Sequence, residues 1–97
     1  MKRDDIVRRL KAKRQRLAAE FKVKSLALFG SVARGDMRSD SDVDVLVEFK
    51  GPTTFDRYMD LKFFLEELLG HPVDLVTRKG VRPELAPYIE RELLRVA

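Results

Sequence analysis

The sequence contains no cysteine, only one histidine and no long apolar segment. Without cysteine the chain can form neither a disulfide framework nor a thiolate metal site, which is typical of proteins in a reducing cytoplasm. No apolar run approaches the ~20 residues of a membrane helix, and the charged first residues lack the apolar core of a signal peptide. These absences predict a cytoplasmic protein that does not insert into a membrane.

Charge is distributed unevenly along the 97 residues, whose net charge is +4. Residues 1–24 hold ten Lys/Arg and three Asp/Glu, whereas residues 25–97 hold ten and thirteen. A basic arm can bind nucleic acid, but no base-reading motif accompanies this one, and we interpret its cations as the solvated side of a helix. With 44% apolar residues, the length predicts a single compact domain over residues 1–97.

Apolar periodicity and capping residues predict helices alternating with strands. Asp4 or Asp5 is expected to cap the first helix, Thr53 or Thr54 the helix that ends before Gly70. The expected helices are 5–20, 31–34, 54–69 and a last one from 84 or 87 to 96; the expected strands are 24–29 (with 25–28 at its centre), 43–49 and 73–77. This alternation indicates an α/β sandwich around one sheet, whose strand order is not evident from the sequence.

The segment 28–47, which reads LFGSVARGDMRSDSDVDVLV, carries the chemistry. Side chains alternate along a strand, so Asp42 and Asp44 should share one face while the valines between and after them point into the core. Two adjacent carboxylates repel one another unless a cation or a proton lies between them. Oxygen ligands suit a hard cation such as Mg²⁺, which also binds substrate phosphates.

Gly30 and Ser31 follow directly on an apolar strand. Glycine permits close backbone approach, and the short helix that follows offers free N–H groups to an anion, so we predict a phosphate cradle here. Arg34 is a further candidate phosphate ligand, although an ordinary surface charge explains it equally well. Each piece alone is weak evidence, because Asp-x-Asp and Gly-Ser are common in turns.

The joint spacing of Gly30-Ser31, Arg34-Gly35 and Asp42-Val43-Asp44 between two apolar strands resembles the signature of nucleotidyltransferases related to DNA polymerase beta. More closely, nearly the whole chain is similar to the minimal nucleotidyltransferases that serve as antitoxins. The resemblance implies the polymerase beta-like fold, an α+β arrangement in which a small mixed sheet carries helices chiefly on one face. It also implies ATP as substrate and two Mg²⁺ ions.

Asp74 is the only acidic residue in the apolar strand 73–77. A charge there is costly unless it is paired or metal-bound, or unless the strand lies at a solvated edge. The resemblance places the third metal-site carboxylate on this strand. It therefore implies that Asp42, Asp44 and Asp74 are the catalytic and metal-binding residues, with Gly30, Ser31 and Arg34 at the phosphates.

Two functions remain open at this stage. In the first, the protein transfers AMP from ATP to a hydroxyl, expected to be a tyrosine of a partner toxin; the resemblance implies that this toxin is of the HEPN type and is encoded nearby. In the second, it neutralises the toxin by binding alone. So short a chain is expected to borrow its acceptor site from a partner or a second copy, so a homo- or hetero-oligomer is expected. Phe64, on an otherwise polar helix sector, is a candidate interface residue.

Overall fold

The computed structural model describes residues 2–97. The elements in chain order are α1 (Arg3–Ala12), α2 (Arg14–Glu20), β1 (Val23–Phe29), α3 (Gly30–Arg34), β2 (Val43–Phe49), α4 (Phe55–Leu69), β3 (Val73–Thr77), a 3-10 turn (Arg78–Gly80), α5 (Ala86–Glu92) and β4 (Leu94–Arg95). Among these helices none has both the length and the apolar character required to cross a membrane.

The strands form one mixed sheet in the order β3-β2-β1-β4. β2 and β3 run parallel, and β1 runs antiparallel to both β2 and β4. Because β2 and β3 both begin at the end of the sheet where β1 finishes, the start of β2, the start of β3 and the turn after β1 all meet there. The carboxylates and the glycine turn that the sequence analysis identified lie at this end of the sheet.

The hydrophobic core lies between one face of the sheet and the helices α1, α2 and α4. Its fully buried side chains are Ile6, Leu10, Leu17, Leu26, Leu28, Val32, Val43, Val45, Val47, Leu61, Leu65 and Leu69. On the other face, Ala27 and Leu46 are also buried, and α5 lies near Leu46 through Ala86 and Ile89. The expected mixed sheet with helices chiefly on one face is confirmed.

Local sequence signals located the central elements well. β2 and β3 have the predicted bounds, and α4 begins after Thr54, whose hydroxyl accepts a hydrogen bond from the Arg57 amide at 3.1 Å. Gly70 ends α4 in the left-handed conformation, with φ of +68°. These signals succeeded because a cap or an alternating strand depends on neighbouring residues only.

The prediction for the first helix was wrong in two respects. The residue that precedes α1 is Lys2 and provides no side-chain cap, so Asp4 and Asp5 lie inside the first turn. There their negative charges interact favourably with the positive end of the helix dipole, but their side chains do not cap the helix. The helix is also interrupted at Lys13, where α1 ends and α2 begins. Neither glycine nor proline marks this break, so the sequence contains no local signal for it.

The last helix is also shorter than predicted. α5 ends at Glu92, and Leu94–Arg95 pairs instead with β1, opposite Leu28 and Ala27. Beyond this strand, the Val96 amide donates to the Leu26 carbonyl at 2.9 Å. The physical reason is the free edge of β1, whose backbone groups need hydrogen-bond partners and obtain them from the C-terminal residues.

Phe64 is not the exposed aromatic residue that the helical wheel indicated. Its ring packs against Phe21 with the ring centroids 4.6 Å apart, and the guanidinium of Arg16 lies 4.8 Å from its centroid. The α4 aromatics that reach solvent are Phe55 and Phe63, which are 76% and 59% exposed. The helical-wheel prediction was wrong because α2 covers a sector of α4 that is polar in the sequence of α4 itself.

Candidate active site

Asp44 and Asp74 lie side by side on neighbouring strands. The parallel register of β2 and β3 pairs Asp44 with Asp74, and the Val43 amide donates to the Pro72 carbonyl at 2.9 Å where the pairing starts. Val43 and Val73, next to the two carboxylates, point into the core and are at most 3% exposed. The strand period therefore turns both Asp side chains to the opposite face, as predicted.

The environment of Asp44 disfavours its charged form and raises its pKa from 3.8 to about 6. Partial burial is the main cause; the negative charges of Asp74 and Asp42 and a hydrogen bond with Asp74 add to it, and Arg34 opposes it. Asp74 itself is exposed on the edge strand β3, yet its side chain contacts Asp44 and does not simply extend into water. The pair thus forms a site where a proton or a cation is needed.

Gly30 lies directly against the Asp44 carboxylate. Its φ is +67°, and a Cβ added at this position would overlap Asp44 Oδ2 and lie 3.1 Å from Asp44 Cγ. Only glycine combines this backbone conformation with such a close approach. The turn between β1 and α3 therefore packs directly against the start of β2. This contact places a main-chain N–H group close to a carboxylate.

Asp42 and Ser31 lie at the margins of this contact. Asp42 precedes β2 and is exposed, while its charge is close enough to raise the pKa of Asp44. The turn before it is held by Ser41, whose hydroxyl accepts a hydrogen bond from the Arg38 amide at 3.1 Å. Ser31 is half-buried in the first turn of α3, next to Gly30. The structure thus brings Asp44, Asp74 and the Gly30 turn together, while Asp42 and Ser31 lie beside them.

Arg34 points back toward the same turn but is already engaged. Its guanidinium donates to Glu92 Oε1 at 2.8 Å and to Asp36 Oδ2 at 3.2 Å, and these two contacts raise its pKa. Glu92 Oε2 in turn accepts a hydrogen bond from the Gly30 amide at 3.1 Å. Glu92, at the end of α5, therefore bridges two groups that were predicted to meet phosphate.

Two residues of α4 hold the strand that carries Asp74. The Val73 amide donates to Glu66 Oε2 at 2.9 Å, and the Tyr58 hydroxyl donates to the Leu75 carbonyl at 2.7 Å. Because β3 is an edge strand, its outward N–H and C=O groups would otherwise have only water as partner. The two side chains fix the backbone on either side of Asp74 and so act as positioning residues.

The sequence reasoning missed Glu92, Tyr58 and Glu66. Glu92 lies in a charged stretch that looks like any solvated helix face, so no local signal marks it. Tyr58 and Glu66 flank the apolar stripe of α4, which places them beside the sheet but does not reveal which strand they contact. All three roles depend on the packing of one element against another.

The donor set fits a hard divalent cation in its chemistry, since it offers carboxylate oxygens and no sulfur or imidazole. The register of β2 and β3 places the carboxylates of Asp44 and Asp74 next to each other, and their mutual repulsion would be relieved by such a cation. Within residues 2–97, however, no three acidic, histidine or cysteine side chains already surround a common point suitable for a metal ion. The exposed side chain of Asp42 is free of packing and would have to turn inward to complete such a set.

The raised pKa of Asp44 gives a stability prediction for the metal-free protein. Between pH 3.8 and about 6 the folded protein binds this proton more tightly than the unfolded chain does, so stability falls as the pH rises through this window. Relative to Asp44→Asn, the wild type should lose about 1–2 kcal/mol of unfolding free energy from pH 4 to pH 7, a figure reduced for solvent screening. Urea unfolding in the presence of EDTA measures this difference; a pH-independent difference would contradict the coupling of Asp44 to its neighbours.

The sequence is similar to proteins of one known family. A family model described as the nucleotidyltransferase domain matches residues 10–96. A Methanocaldococcus jannaschii protein, provisionally named a protein adenylyltransferase, is 43% identical over 83 residues, covering 82% of this chain and 83% of its own. The protein adenylyltransferase MntA of Thermococcus cleftensis is 37% identical over 87 residues, covering 90% of this chain and 88% of its own.

Solved structures show the same fold. A structure provisionally described as a minimal nucleotidyltransferase superposes with a TM-score of 0.83 at 38% identity, over 97% of this chain and 95% of the other. A complex described as a tri-AMPylated Shewanella oneidensis HEPN toxin with its MNT antitoxin matches with a TM-score of 0.67 at 19% identity, over 94% of this chain and 71% of the other. The chain therefore belongs to the nucleotidyltransferase family, and within it to the minimal nucleotidyltransferases whose relatives carry the name protein adenylyltransferase.

Proposed function

We propose that this protein transfers AMP from ATP to a tyrosine hydroxyl of a HEPN-type toxin and acts as the antitoxin of that pair. The observation that carries the proposal is the contact of Asp44 with Asp74 directly beside the Gly30 turn, which combines a cation site with a main-chain donor for phosphate. The names of the relatives support adenylyl transfer to protein. The AMPylated HEPN toxin in the Shewanella oneidensis complex supports the acceptor class.

Asp42, Asp44 and Asp74 are the residues that would hold the metal, for which Mg²⁺ is the natural candidate and two ions the family expectation. A bound divalent cation would neutralise triphosphate charge and acidify the acceptor hydroxyl. The three carboxylates are suited to this role because the strand register places Asp44 beside Asp74, and the charge of Asp42 is close enough to act on Asp44. Tyr58 and Glu66 keep the backbone of Asp74 in place while the substrate changes.

Gly30, Ser31 and Arg34 are assigned to the triphosphate. The absence of a Cβ at Gly30 makes room for the Asp44 carboxylate, and the Gly30 N–H group on this turn is a donor that a phosphate oxygen could use in place of Glu92. The hydroxyl of Ser31 and the guanidinium of Arg34 add a neutral and a charged donor on the same turn. Together they would keep the β- and γ-phosphates fixed while the bond to the α-phosphorus breaks.

The chemical step is the replacement of pyrophosphate by a tyrosine oxygen. The tyrosine oxygen forms a bond to the α-phosphorus, the bond from that phosphorus to the β-phosphate oxygen breaks, and pyrophosphate leaves. The acceptor proton passes to the carboxylate pair, with Asp74 as the acceptor because it is the more exposed member. Asp74 would accept that proton directly or by holding the cation that acidifies the hydroxyl.

The experiment that tests the proposal measures stoichiometry. Purified protein with Mg²⁺ and ATP is incubated with an excess of the HEPN-type toxin encoded beside its gene, and the ribonuclease activity and mass of the toxin are followed. Because each catalyst turns over, substoichiometric protein should silence the toxin, the toxin should gain one or more AMP masses, and inhibition should persist after the protein is removed.

The matched variants are Asp74→Asn and Asp40→Asn, which remove the same charge inside and outside the site; Asp40 is exposed in the loop before β2. Only Asp74→Asn should abolish the mass gain. A requirement for equimolar protein, together with equal inhibition by Asp74→Asn in the absence of nucleotide, would show neutralisation by binding alone. The exposed Phe55 and Phe63 of α4 are the surface that such a binder would use first.

A further inference from the structure

Glu92 accepts two hydrogen bonds from groups that an ordinary surface glutamate, surrounded by water, would not contact. Its two carboxylate oxygens accept from different donors, Oε2 from the Gly30 amide at 3.1 Å and Oε1 from the Arg34 guanidinium at 2.8 Å. Gly30 and Glu92 are 62 positions apart, so this is a tertiary contact and not a helix-surface pair. The carboxylate is partly shielded, with 32% of the side chain exposed.

These donors are two of the groups that the proposed function assigns to the triphosphate, and the inference rests on that assignment. A carboxylate and a phosphate present the same kind of anionic oxygen to a main-chain N–H and a guanidinium. The single N–H of Gly30 cannot donate fully to Glu92 and to a phosphate oxygen at once, and the two anions would also repel one another. Occupation by Glu92 and occupation by substrate are therefore mutually exclusive.

We propose that Glu92 is an internal competitor for the triphosphate: it occupies the Gly30 amide and Arg34 when no nucleotide is bound, and it must leave when ATP enters. The apparent nucleotide affinity is then lowered by the fraction of molecules in which Glu92 is in place. Glu92 thereby also favours ligands with enough phosphate charge to displace it, which distinguishes a nucleoside triphosphate from a monophosphate.

The C-terminal segment is attached in a way that permits this exchange. α5 comprises seven residues and contains no buried side chain. Apart from Glu92, its ion pair to the rest of the chain joins Glu90 to Arg78 at 2.8 Å, with both side chains more than 40% exposed. Exposed ion pairs contribute little to stability, and the two-residue strand β4 can remain paired with β1 while the end of α5 moves.

The structure provides a matched control for the test. Glu90 lies on the same helix, carries the same charge and pairs with an arginine at the same 2.8 Å, but it contacts neither Gly30 nor Arg34 in this structure. Glu92→Gln removes the charge while its amide oxygen can still accept from the Gly30 amide, so the fold should be retained. Glu90→Gln removes one charge from the same helix without touching the phosphate donors.

Isothermal titration of the wild type and both variants, with Mg²⁺ present, should use ATP, inorganic tripolyphosphate and AMP. Glu92→Gln should bind ATP and tripolyphosphate roughly two- to tenfold more tightly than the wild type, as expected for removal of a partly exposed competing anion. AMP affinity should change by less, because AMP lacks the β- and γ-phosphates. Glu90→Gln should match the wild type with all three ligands.

Unchanged or weaker ATP binding by Glu92→Gln would overturn the proposal, and an equal gain in Glu90→Gln would reduce it to a general charge effect. If ATP and tripolyphosphate bind to neither the wild type nor Glu92→Gln, the proposed function itself fails. A wild-type readout guards against misfolding of the variant: in NMR, tripolyphosphate should shift the Gly30 amide and the α5 resonances together. ATP binding without that joint shift would also overturn the competition.

Discussion

Asp44→Asn is expected to reduce AMP transfer at least about a thousandfold, because it removes a charge that a bound cation needs and loosens the link to Asp74. The variant should nevertheless fold, and at neutral pH it should be at least as stable as the wild type. The reason is that the surroundings of Asp44 destabilise its charged form, which raises its pKa to about 6. A catalytic residue that costs stability is distinguished in this way from a structural one.

The measurement pairs toxin mass gain with Mg²⁺-ATP binding by titration and with urea unfolding. Asp40→Asn serves as the control, since Asp40 is an exposed carboxylate of the same loop. It should leave transfer, binding and stability close to the wild-type values. Near-normal transfer by an Asp42→Asn, Asp44→Asn double variant would remove both residues from the catalytic assignment.

The parts of the site that the sequence predicted are those set by neighbouring residues. The alternation along β2 turns Asp44 away from the core, whatever packs on the sheet. Gly30 follows an apolar strand and adopts a positive φ, as a sharp strand-to-helix turn often requires. Such features depend on a few neighbouring residues, so the amino-acid sequence is sufficient to predict them.

The parts that the sequence did not predict depend on which surfaces meet. The contact of Glu92 with Gly30 exists only because β4 completes the free edge of β1 and ends α5 at that point. Tyr58 and Glu66 acquire their roles from the position of β3 at the outer edge of the sheet. Sheet order and edge pairing follow from the whole chain, and residues that act through them carry no local signature.

The same distinction explains the ambiguity at Asp74. Asp74 lies on an edge strand and its side chain is exposed, as expected for the alternative in which it is an ordinary solvated residue. The parallel register with β2 nevertheless brings it against Asp44, which is what the functional interpretation required. Exposure is compatible with the proposed function, in which an acceptor hydroxyl would reach the Asp74 carboxylate from solvent.

Gly30→Ala is expected to reduce transfer roughly a hundredfold by displacing a carboxylate, because a shift of about an ångström at a reacting group can have an effect of that size. The new Cβ would overlap Asp44 Oδ2, and the nearest flexible response is rotation of Asp44 away from Asp74. The backbone also holds φ at +67°, which costs an alanine about 1–2 kcal/mol of stability. The variant thus combines a conformational cost with a specific clash.

Gly70→Ala separates these two effects. Gly70 has nearly the same φ, +68°, but a Cβ there meets no atom within 4 Å. Gly30→Ala should lose at least as much unfolding free energy as Gly70→Ala in urea titrations at pH 7, and only Gly30→Ala should lose AMP transfer and Mg²⁺-ATP affinity. Equal activity losses in the two would mean that a destabilised fold, and not the placement of Asp44 against Gly30, limits the reaction. Full activity in Gly30→Ala would show that the close approach of Gly30 to Asp44 is dispensable for catalysis.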